Sequence, residues 1–231
     1  MSEAKQLSDT GEKTRAAPDA PHFDRIARPY RWLEYLSFGP LLQHTRTHWL
    51  SAINNCRSAL VLGDGDGRFT AALLAANPEI RIHAVDLSPA MLNLLAYRCD
   101  AANPAMFSTE TADLRLWSPP ANARYDLVAT HFFLDCLTTE EISALAQRLT
   151  PALAPDATWL VSDFAIPRTP YGRWIAAPIV AVLYRAFALL TGLGVRRLPD
   201  HAAALKDANW RLERRHHRLG GLLVSQFWKR S

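Results

Sequence analysis

The sequence predicts a doubly wound α/β fold, and three observations predict it. Short apolar runs alternate with helix-patterned segments through the middle of the chain. One of these runs feeds a glycine-rich turn and then a helix. The chain closes on two strand-like runs around Gly220-Gly221. Apolar strands separated by helices argue a parallel sheet covered on both faces. Right-handed crossovers then wind such a sheet in two directions.

The elements follow in order. The opening "MSEAKQLSDTGEKTRAAPDAP" is polar and has no apolar stretch, so residues 1–21 read as a disordered tail and not as a secretory signal. Residues 22–57, "HFDRIARPYRWLEYLSFGPLLQHTRTHWLSAI" and its continuation, carry Phe23, Tyr30, Trp32, Tyr35 and Phe38. They read as one or two helices, broken near Pro29 and Gly39-Pro40, that form a lid or substrate segment. The main domain is expected over 58–231. It begins with the strand "SALVLGD" and the helix "RFTAALLAANP", followed by the strand "RIHAVDLS" and a helix opening at Ser88-Pro89. Serine at the N-cap with proline at the first helical position is a strong start signal. A short strand around "AMFSTETAD", the strand "YDLVATHFFL", a helix with a Thr139-x-x-Ile142 start and the strand "ATWLVSDFAI" continue the alternation. The runs flanking Gly220-Gly221 read as an antiparallel hairpin with a tight turn.

Between the last parallel strand and that hairpin lies an apolar insert, about 170–195, "YGRWIAAPIVAVLYRAFALLTGLG". A membrane span needs ~20 apolar residues. Pro178 and Arg185 interrupt the run, so a helix on the core or under a ligand pocket is expected instead.

Composition sets bounds on function. The 231 residues suit one domain, and 49% hydrophobic with 21% charged residues is ordinary for a globular protein. Cys56, Cys99 and Cys136 form no CxxC pair, so neither a zinc site nor a disulfide framework is indicated, and a reducing, cytoplasmic compartment fits. The net charge of +4 is mild but uneven, with Arg196, Arg197, Arg211, Arg214, Arg215 and Arg218 in the last third. Such a bias attracts nucleic acid or anionic membranes. Without an RNA-binding signature or a basic recognition helix it reads as a solvated sheet face.

The chemistry is concentrated in "ALVLGDGDGRFT". Glycines let the backbone approach a ligand, and a helix N-terminus offers free N–H groups. The phosphate-loop pattern GxxxxGK[ST] is absent. The dinucleotide pattern G-x-G-x-x-G fails because Arg68 stands where the third glycine belongs. Asp64 and Asp66 add negative charge that a pyrophosphate disfavours, so a ligand neutral or cationic at this point is expected. Asp86, 23 positions beyond Gly63, ends the second strand and is placed to accept hydrogen bonds from both hydroxyls of a ribose.

In this order, "ALVLGDGDGRFTAALL", "IHAVDLSPAMLNLL", "TADLRLW", "YDLVATHFFLDCL" and "LAPDATWLVSDF" resemble the successive motifs of class I S-adenosylmethionine-dependent methyltransferases. The resemblance covers roughly Phe23 to Lys229, and the lead-in "FDRIARPY" is similar to the ubiquinone/menaquinone-biosynthesis methyltransferases. It implies a Rossmann-like methyltransferase fold: a mostly parallel seven-stranded sheet with a C-terminal antiparallel hairpin. It implies S-adenosylmethionine as cofactor and a small-molecule acceptor. Gly63, Gly65 and Gly67 would cradle the methionine part, and Asp86 would hold the ribose. Leu87 and Met91 would pack on the adenine, and Asp113 beside Leu114 would read its amino group. Thr130 and His131 would line the methyl-transfer region, and Tyr30 would close over the cofactor. Two departures stand out. Val61 replaces the family's acidic residue in the first strand, leaving Asp64 as the candidate partner of the cofactor's ammonium group. Leu134-Asp135-Cys136 stands where the family often has "LHH".

Methyl transfer from a sulfonium needs in-line positioning above all, a source of up to ~7–11 kcal/mol. A base is required only where the acceptor loses a proton. His131 and Asp163, at the ends of the fourth and fifth strands, are the candidates, while structural hydrogen bonding and turn capping are their alternative roles. Phe132, Phe133 and the lead-in aromatics would shape an apolar pocket or favour the sulfonium by cation–π contact, worth ~0.5–2 kcal/mol. The insert, with Trp174, Tyr184, Phe187 and nearby Arg196 and Arg197, suits a hydrophobic or lipid-like acceptor or a peripheral membrane contact. Two other functions remain open: a non-catalytic cofactor-binding or partner protein, and an NAD-dependent oxidoreductase. Arg68 and the lack of Tyr-x-x-x-Lys speak against the second. No (D/N)PP(Y/F) tetrapeptide follows the fourth strand, so nucleic acid is not the expected acceptor. Oligomeric state is not legible.

Overall fold

The computed structural model describes residues 39–99, 104–191 and 198–231. The tail, Tyr30 and the rest of the lead-in, and Arg196 and Arg197, lie outside them, as do the side chains of Tyr184 and Phe187. Seven strands form one sheet: β1 (Ser58–Leu62), β2 (Arg81–Asp86), β3 (Phe107–Thr111), β4 (Tyr125–His131), β5 (Leu153–Phe164), β6 (Trp210–Arg218) and β7 (Leu223–Arg230). Their order is β3-β2-β1-β4-β5-β7-β6. β1 to β5 run parallel, and β7 is antiparallel to both β5 and β6. The expected mostly parallel sheet with an antiparallel C-terminal pair is therefore present. The strand order reverses between β1 and β4, which opens a crevice at the C-terminal strand ends.

Helices cover both faces: α1 (Gly39–Arg46), α2 (Arg68–Ala76), α3 (Pro89–Cys99), α4 (Thr139–Leu149), α5 (Ala177–Thr191) and α6 (His201–Asp207). α4 shows why its sequence folds as it does. Ile142, Leu145, Ala146 and Leu149 recur at helical spacing and are all buried. The start lies one residue before the expected Thr139: Thr138 is the N-cap, and its hydroxyl accepts the Glu141 N–H while Glu141 accepts the Thr138 N–H. α3 opens as its Ser88-Pro89 start predicts, with the Met91 N–H donating to Ser88 Oγ at 3.2 Å.

Two apolar layers sandwich the sheet. One holds Leu60, Leu62, Val128, Trp159, Val161, Trp210 and Trp228 under α4 and α6. The other holds Val61, Phe69, Leu73, Leu127, Ala129, Leu160 and Phe227 under α2 and α3. Trp159 is fully buried; its indole N–H donates to Thr130 Oγ1 at 2.9 Å and its ring meets Trp210 edge-on at 5.3 Å. A buried indole needs such a partner.

The C-terminal third forms the expected antiparallel hairpin: Arg218 pairs with Leu223, so four residues make the connection, and Leu219, Gly220 and Gly221 all have positive φ. The insert forms a π-turn over Gly172–Ala176 that runs into α5, and it buries Ala176 and Val180 against Leu222 in a small cluster of its own. Among the described residues this cluster is separate from the two main ones. Trp174, 71% exposed, and Val182, 63% exposed, face outward. Among the described residues no helix is long and apolar enough to cross a membrane. β6 is a sheet edge with Arg211, Arg214 and Arg215 exposed, and the Arg214 guanidinium lies 4.3 Å over the Phe227 ring.

Candidate active site

The glycine turn joins β1 to α2, and Gly63, Gly65 and Gly67 all have left-handed φ, at 65°, 59° and 79°. The three differ in what surrounds them. A Cβ on Gly63 would stand 2.3 Å from Phe133 Cδ2, and one on Gly67 would stand 2.8 Å from the Leu95 Cα in α3. A Cβ on Gly65 would meet only the Met91 sulfur, at 3.9 Å. Two glycines thus make room for the protein itself, and among the described residues the middle one meets nothing closer than the Met91 sulfur.

Both aspartates of the turn hydrogen-bond within the protein. Asp64 turns back onto the start of α2, where Oδ1 accepts the Phe69 N–H at 3.2 Å. Its Oδ2 accepts the Thr70 N–H at 2.8 Å and the Thr70 hydroxyl at 2.7 Å. These bonds satisfy donors that a helix N-terminus leaves orphaned. Burial pushes the Asp64 carboxyl up to about 6, against the Thr70 and Phe69 hydrogen bonds and the charge of Arg46. Asp66 ties the turn to α3: its Oδ2 lies 2.6 Å from Arg98 Nη2 and 3.3 Å from Arg68 Nε. Helix capping thus engages both oxygens of Asp64, the residue expected to meet the cofactor's ammonium group.

Asp86 closes β2. Its Oδ2 accepts the Gly65 N–H at 3.2 Å and its Oδ1 accepts the Ser88 N–H at 2.9 Å. These bonds fix the carboxylate beside the open glycine. Leu87 is half-buried and Met91 is buried at the same corner. Asp113 follows β3, and the Arg115 guanidinium grips its carboxylate, with Nη2 to Oδ2 at 2.6 Å. Arg115 first of all holds that carboxyl below the usual carboxylate range. Leu114, 4% exposed, belongs to the core beside Trp117. Thr130 is buried, and its hydroxyl serves the Trp159 indole.

His131 and Asp163 are not brought together. Successive strand residues point to opposite faces, so His131 shares the face of Leu127 and Ala129, and Asp163 that of Trp159 and Val161. His131 is 4% exposed, its ring lies 4.2 Å from Phe69, and neither ring nitrogen has a hydrogen-bond partner. Burial, then the Arg46 charge, hold its pKa well below the ordinary value, so it is neutral. Asp163 is 1% exposed; Oδ1 accepts the Phe164 N–H at 2.8 Å, and Oδ2 has no donor. Burial and then the neighbouring Asp135 hold its carboxyl well above the usual range.

Sequence reasoning passed over Arg46 at this end and gave Asp135 no role. Arg46, at the end of α1, is 6% exposed and lies 5.0 Å over the Phe132 ring. Only tertiary packing brings it there. Phe132 takes a left-handed φ of 55° immediately after β4, a strained position of the kind that clusters at functional sites. Asp135 sits in the 3₁₀ turn Leu134–Cys136, and the Cys136 Sγ lies 3.6 Å from its Oδ1. An acidic residue directly after the apolar run "FFL" was the legible signal.

The chain matches known proteins as follows. Residues 60–159 match the family described as a methyltransferase domain. None of the curated proteins matches the sequence. Solved structures with this fold include the mitomycin 7-O-methyltransferase MmcR, at 20% identity and a TM-score of 0.68, covering 89% of this chain and 60% of that one. The N-methyltransferase NodS from Bradyrhizobium japonicum WM9, in complex with S-adenosyl-L-homocysteine, has 14% identity and a TM-score of 0.61, covering 84% and 88%. The N,N-8-amino-8-demethyl-D-riboflavin dimethyltransferase RosA from Streptomyces davawensis has 19% identity and a TM-score of 0.60, covering 91% and 62%. This chain spans about three fifths of the length of MmcR and RosA. Residues 60–159 thus match a methyltransferase domain, and the seven-stranded sheet around them has the fold of these solved methyltransferase structures.

Proposed function

We propose that this protein transfers a methyl group from S-adenosylmethionine to a small, hydrophobic acceptor in the crevice at the ends of β1, β2, β4 and β5. The observation that carries this is the pairing of Gly65 and Asp86: one glycine that no described residue crowds, with a carboxylate fixed beside it by two backbone N–H groups. That arrangement fits the cofactor. Gly65 lets its methionine part approach, Asp86 accepts from its ribose, and Leu87 and Met91 give its adenine an apolar wall. Gly63, Gly67 and Asp64 act one step back, by shaping the turn. Asp113 with Leu114 would read the adenine amino group, with Arg115 orienting the carboxylate. When bound, the cofactor supplies a methyl group on sulfur that is already electrophilic. Thr130 and His131 then form the wall of the methyl-transfer region. His131, neutral and packed under Phe69, is a wall residue here, and Asp163 is the group that handles a proton. Tyr30 remains the proposed lid residue of the lead-in. The narrower likeness to the ubiquinone/menaquinone group rests on that same lead-in, and nothing in the proposal depends on it.

The hydrophobic character of the acceptor rests on the insert. Trp174, Ile175 and Val182 are exposed together with Arg168, Arg173 and Arg185. Apolar side chains rimmed by arginine suit a lipid-like acceptor delivered at an anionic membrane surface. Co-sedimentation with anionic vesicles at low salt is the expected outcome, and no binding there removes the membrane contact.

Calorimetric titration with S-adenosylmethionine, with NAD and with an Asp86→Ala variant tests the main reading. The wild type is expected to bind the first and not the second. The variant is expected to lose about 10–100-fold in affinity, the worth of charge-assisted hydrogen bonds. Binding of neither ligand rejects the proposal.

A further inference from the structure

A chain of polar side chains crosses β2, β3 and β4, and the proposed cofactor contacts leave it unused. His83 on β2 stands between Tyr125 and Glu110: its Nδ1 lies 2.8 Å from the Tyr125 hydroxyl and its Nε2 lies 3.1 Å from Glu110 Oε2. The Trp117 indole N–H donates to the other oxygen, Glu110 Oε1, at 2.7 Å, and the Trp117 ring meets His83 edge-on at 5.8 Å. A carboxylate only accepts, so His83 carries its proton on Nε2 and donates it to Glu110. Nδ1 is then the acceptor, and the Tyr125 hydroxyl donates to it. Burial holds the His83 imidazole below its ordinary range, against the pull of Glu110, and pushes the Tyr125 phenol up to about 12. A neutral ring with a protonated phenol beside it keeps these donor and acceptor roles at neutral pH.

The chain of bonds ends on the turn that carries Asp113. That turn leaves the sheet beside Asp86, whose carbonyl accepts the Ala112 N–H at 3.0 Å. It folds back on itself, with the Leu116 and Trp117 N–H groups donating to the Asp113 carbonyl at 2.9 and 2.8 Å. Arg148 from α4 donates to the Leu114 and Trp117 carbonyls, each at 2.9 Å. Glu110 pairs with Val85, the residue before Asp86, in the β2–β3 ladder. Its bond to Trp117 therefore ties the far end of the turn to the strand pair that ends at Asp86.

Resting on the methyl-transfer reading, we propose that Tyr125, His83, Glu110 and Trp117 are positioning residues that set Asp113 against the adenine amino group, so that the site takes an adenine cofactor over one with a 6-oxo purine. The 6-oxo purine presents an acceptor where adenine presents a donor. A carboxylate held in place rejects it, whereas one free to swing discriminates little.

Nitrogen-15 NMR of the full chain tests the chain of bonds itself. His83 is expected as the neutral Nε2–H tautomer at neutral pH, and the Nδ1–H tautomer or an imidazolium overturns the proposal. Calorimetry with S-adenosylhomocysteine and with S-inosylhomocysteine, its 6-oxo purine analogue, tests the positioning. The wild type is expected to prefer the adenine form about 10–100-fold, the worth of a charge-assisted hydrogen bond. Trp117→Phe keeps a ring and removes the N–H, and Glu110→Ala removes its acceptor. Each is expected to reduce the preference to about threefold or less. Glu110→Gln keeps an acceptor for Trp117 and is expected to retain most of the preference. A merely structural role would weaken both ligands alike and leave their ratio at the wild-type value. That ratio in Trp117→Phe and Glu110→Ala, or an unselective wild type, overturns this proposal alone. A wild type that binds neither ligand overturns the methyltransferase reading, and this proposal with it.

Discussion

The two ends of the crevice handle buried polarity in opposite ways. At the glycine turn, Asp64, Asp66 and Asp86 all accept hydrogen bonds from the protein itself, from backbone N–H groups, a threonine hydroxyl or arginines. At the ends of β4 and β5, His131 has two buried nitrogens without partners and Asp163 has an oxygen without a donor. Native proteins leave few buried polar atoms unpaired. The first end is thus internally satisfied, whereas the second carries buried polar atoms without a hydrogen-bond partner. Under the proposed function, binding falls to the satisfied region and reaction to the other.

Substitutions break or sharpen this contrast. The largest effect is expected at Gly67, where a Cβ meets the backbone of α3 as well as a left-handed φ. Gly67→Ala is expected to cost about 3 kcal/mol of stability, seen as a lower midpoint in urea unfolding. Asp64→Ala strips the cap from α2 and leaves the Phe69 and Thr70 N–H groups unpaired, a loss of about 2 kcal/mol by the same measurement.

Asp64 also writes a pH signature. Its folded pKa of about 6 lies above the ordinary 3.8, so the folded state binds its proton more tightly. The stability this gives is fully present below pH 3.8 and is lost as pH rises through about 6, by about 3 kcal/mol in all. Asp64→Asn keeps an acceptor for the helix but has no proton to lose. The difference between variant and wild type in unfolding free energy is expected to vary across that window and to flatten above it. A constant difference would show that Asp64 is not desolvated.

Gly65→Ala has the strained φ but no clash, so about 1 kcal/mol of stability is expected to go. Its affinity for S-adenosylmethionine should fall by far more than that of any variant at Gly63 or Gly67 that still folds. Equal losses at all three glycines would erase the distinction between packing and ligand approach. The smallest effect is expected at His131. His131→Leu removes two unpaired nitrogens and keeps the contact with Phe69, so stability at neutral pH is expected to change by less than about 1 kcal/mol. The wild type, whose folded histidine stays neutral, loses stability as pH falls below 6.5, and the variant is expected to lose less. A strong destabilisation by leucine at neutral pH would mean that His131 has a hydrogen-bond partner after all.

The sequence by itself determined the parallel sheet, the glycine turn and Asp86, because each is a local matter. Apolar alternation marks β1, β2, β4 and β5, and glycine is the residue that tolerates the left-handed turn between β1 and α2. The start of α4 was legible to within one residue because Thr138 and Glu141 cap within one turn. Tertiary structure alone decided which way each polar side chain faces. "GDGD" does not say that Asp64 bends back to Thr70, nor that Asp66 reaches Arg98, 32 positions away. His131 and Asp163 look alike as strand-end residues, yet the pleat of β4 and β5 puts them on opposite faces. The reason is physical: backbone conformation follows from neighbours along the chain, whereas burial and the pairing of charges follow from neighbours in space.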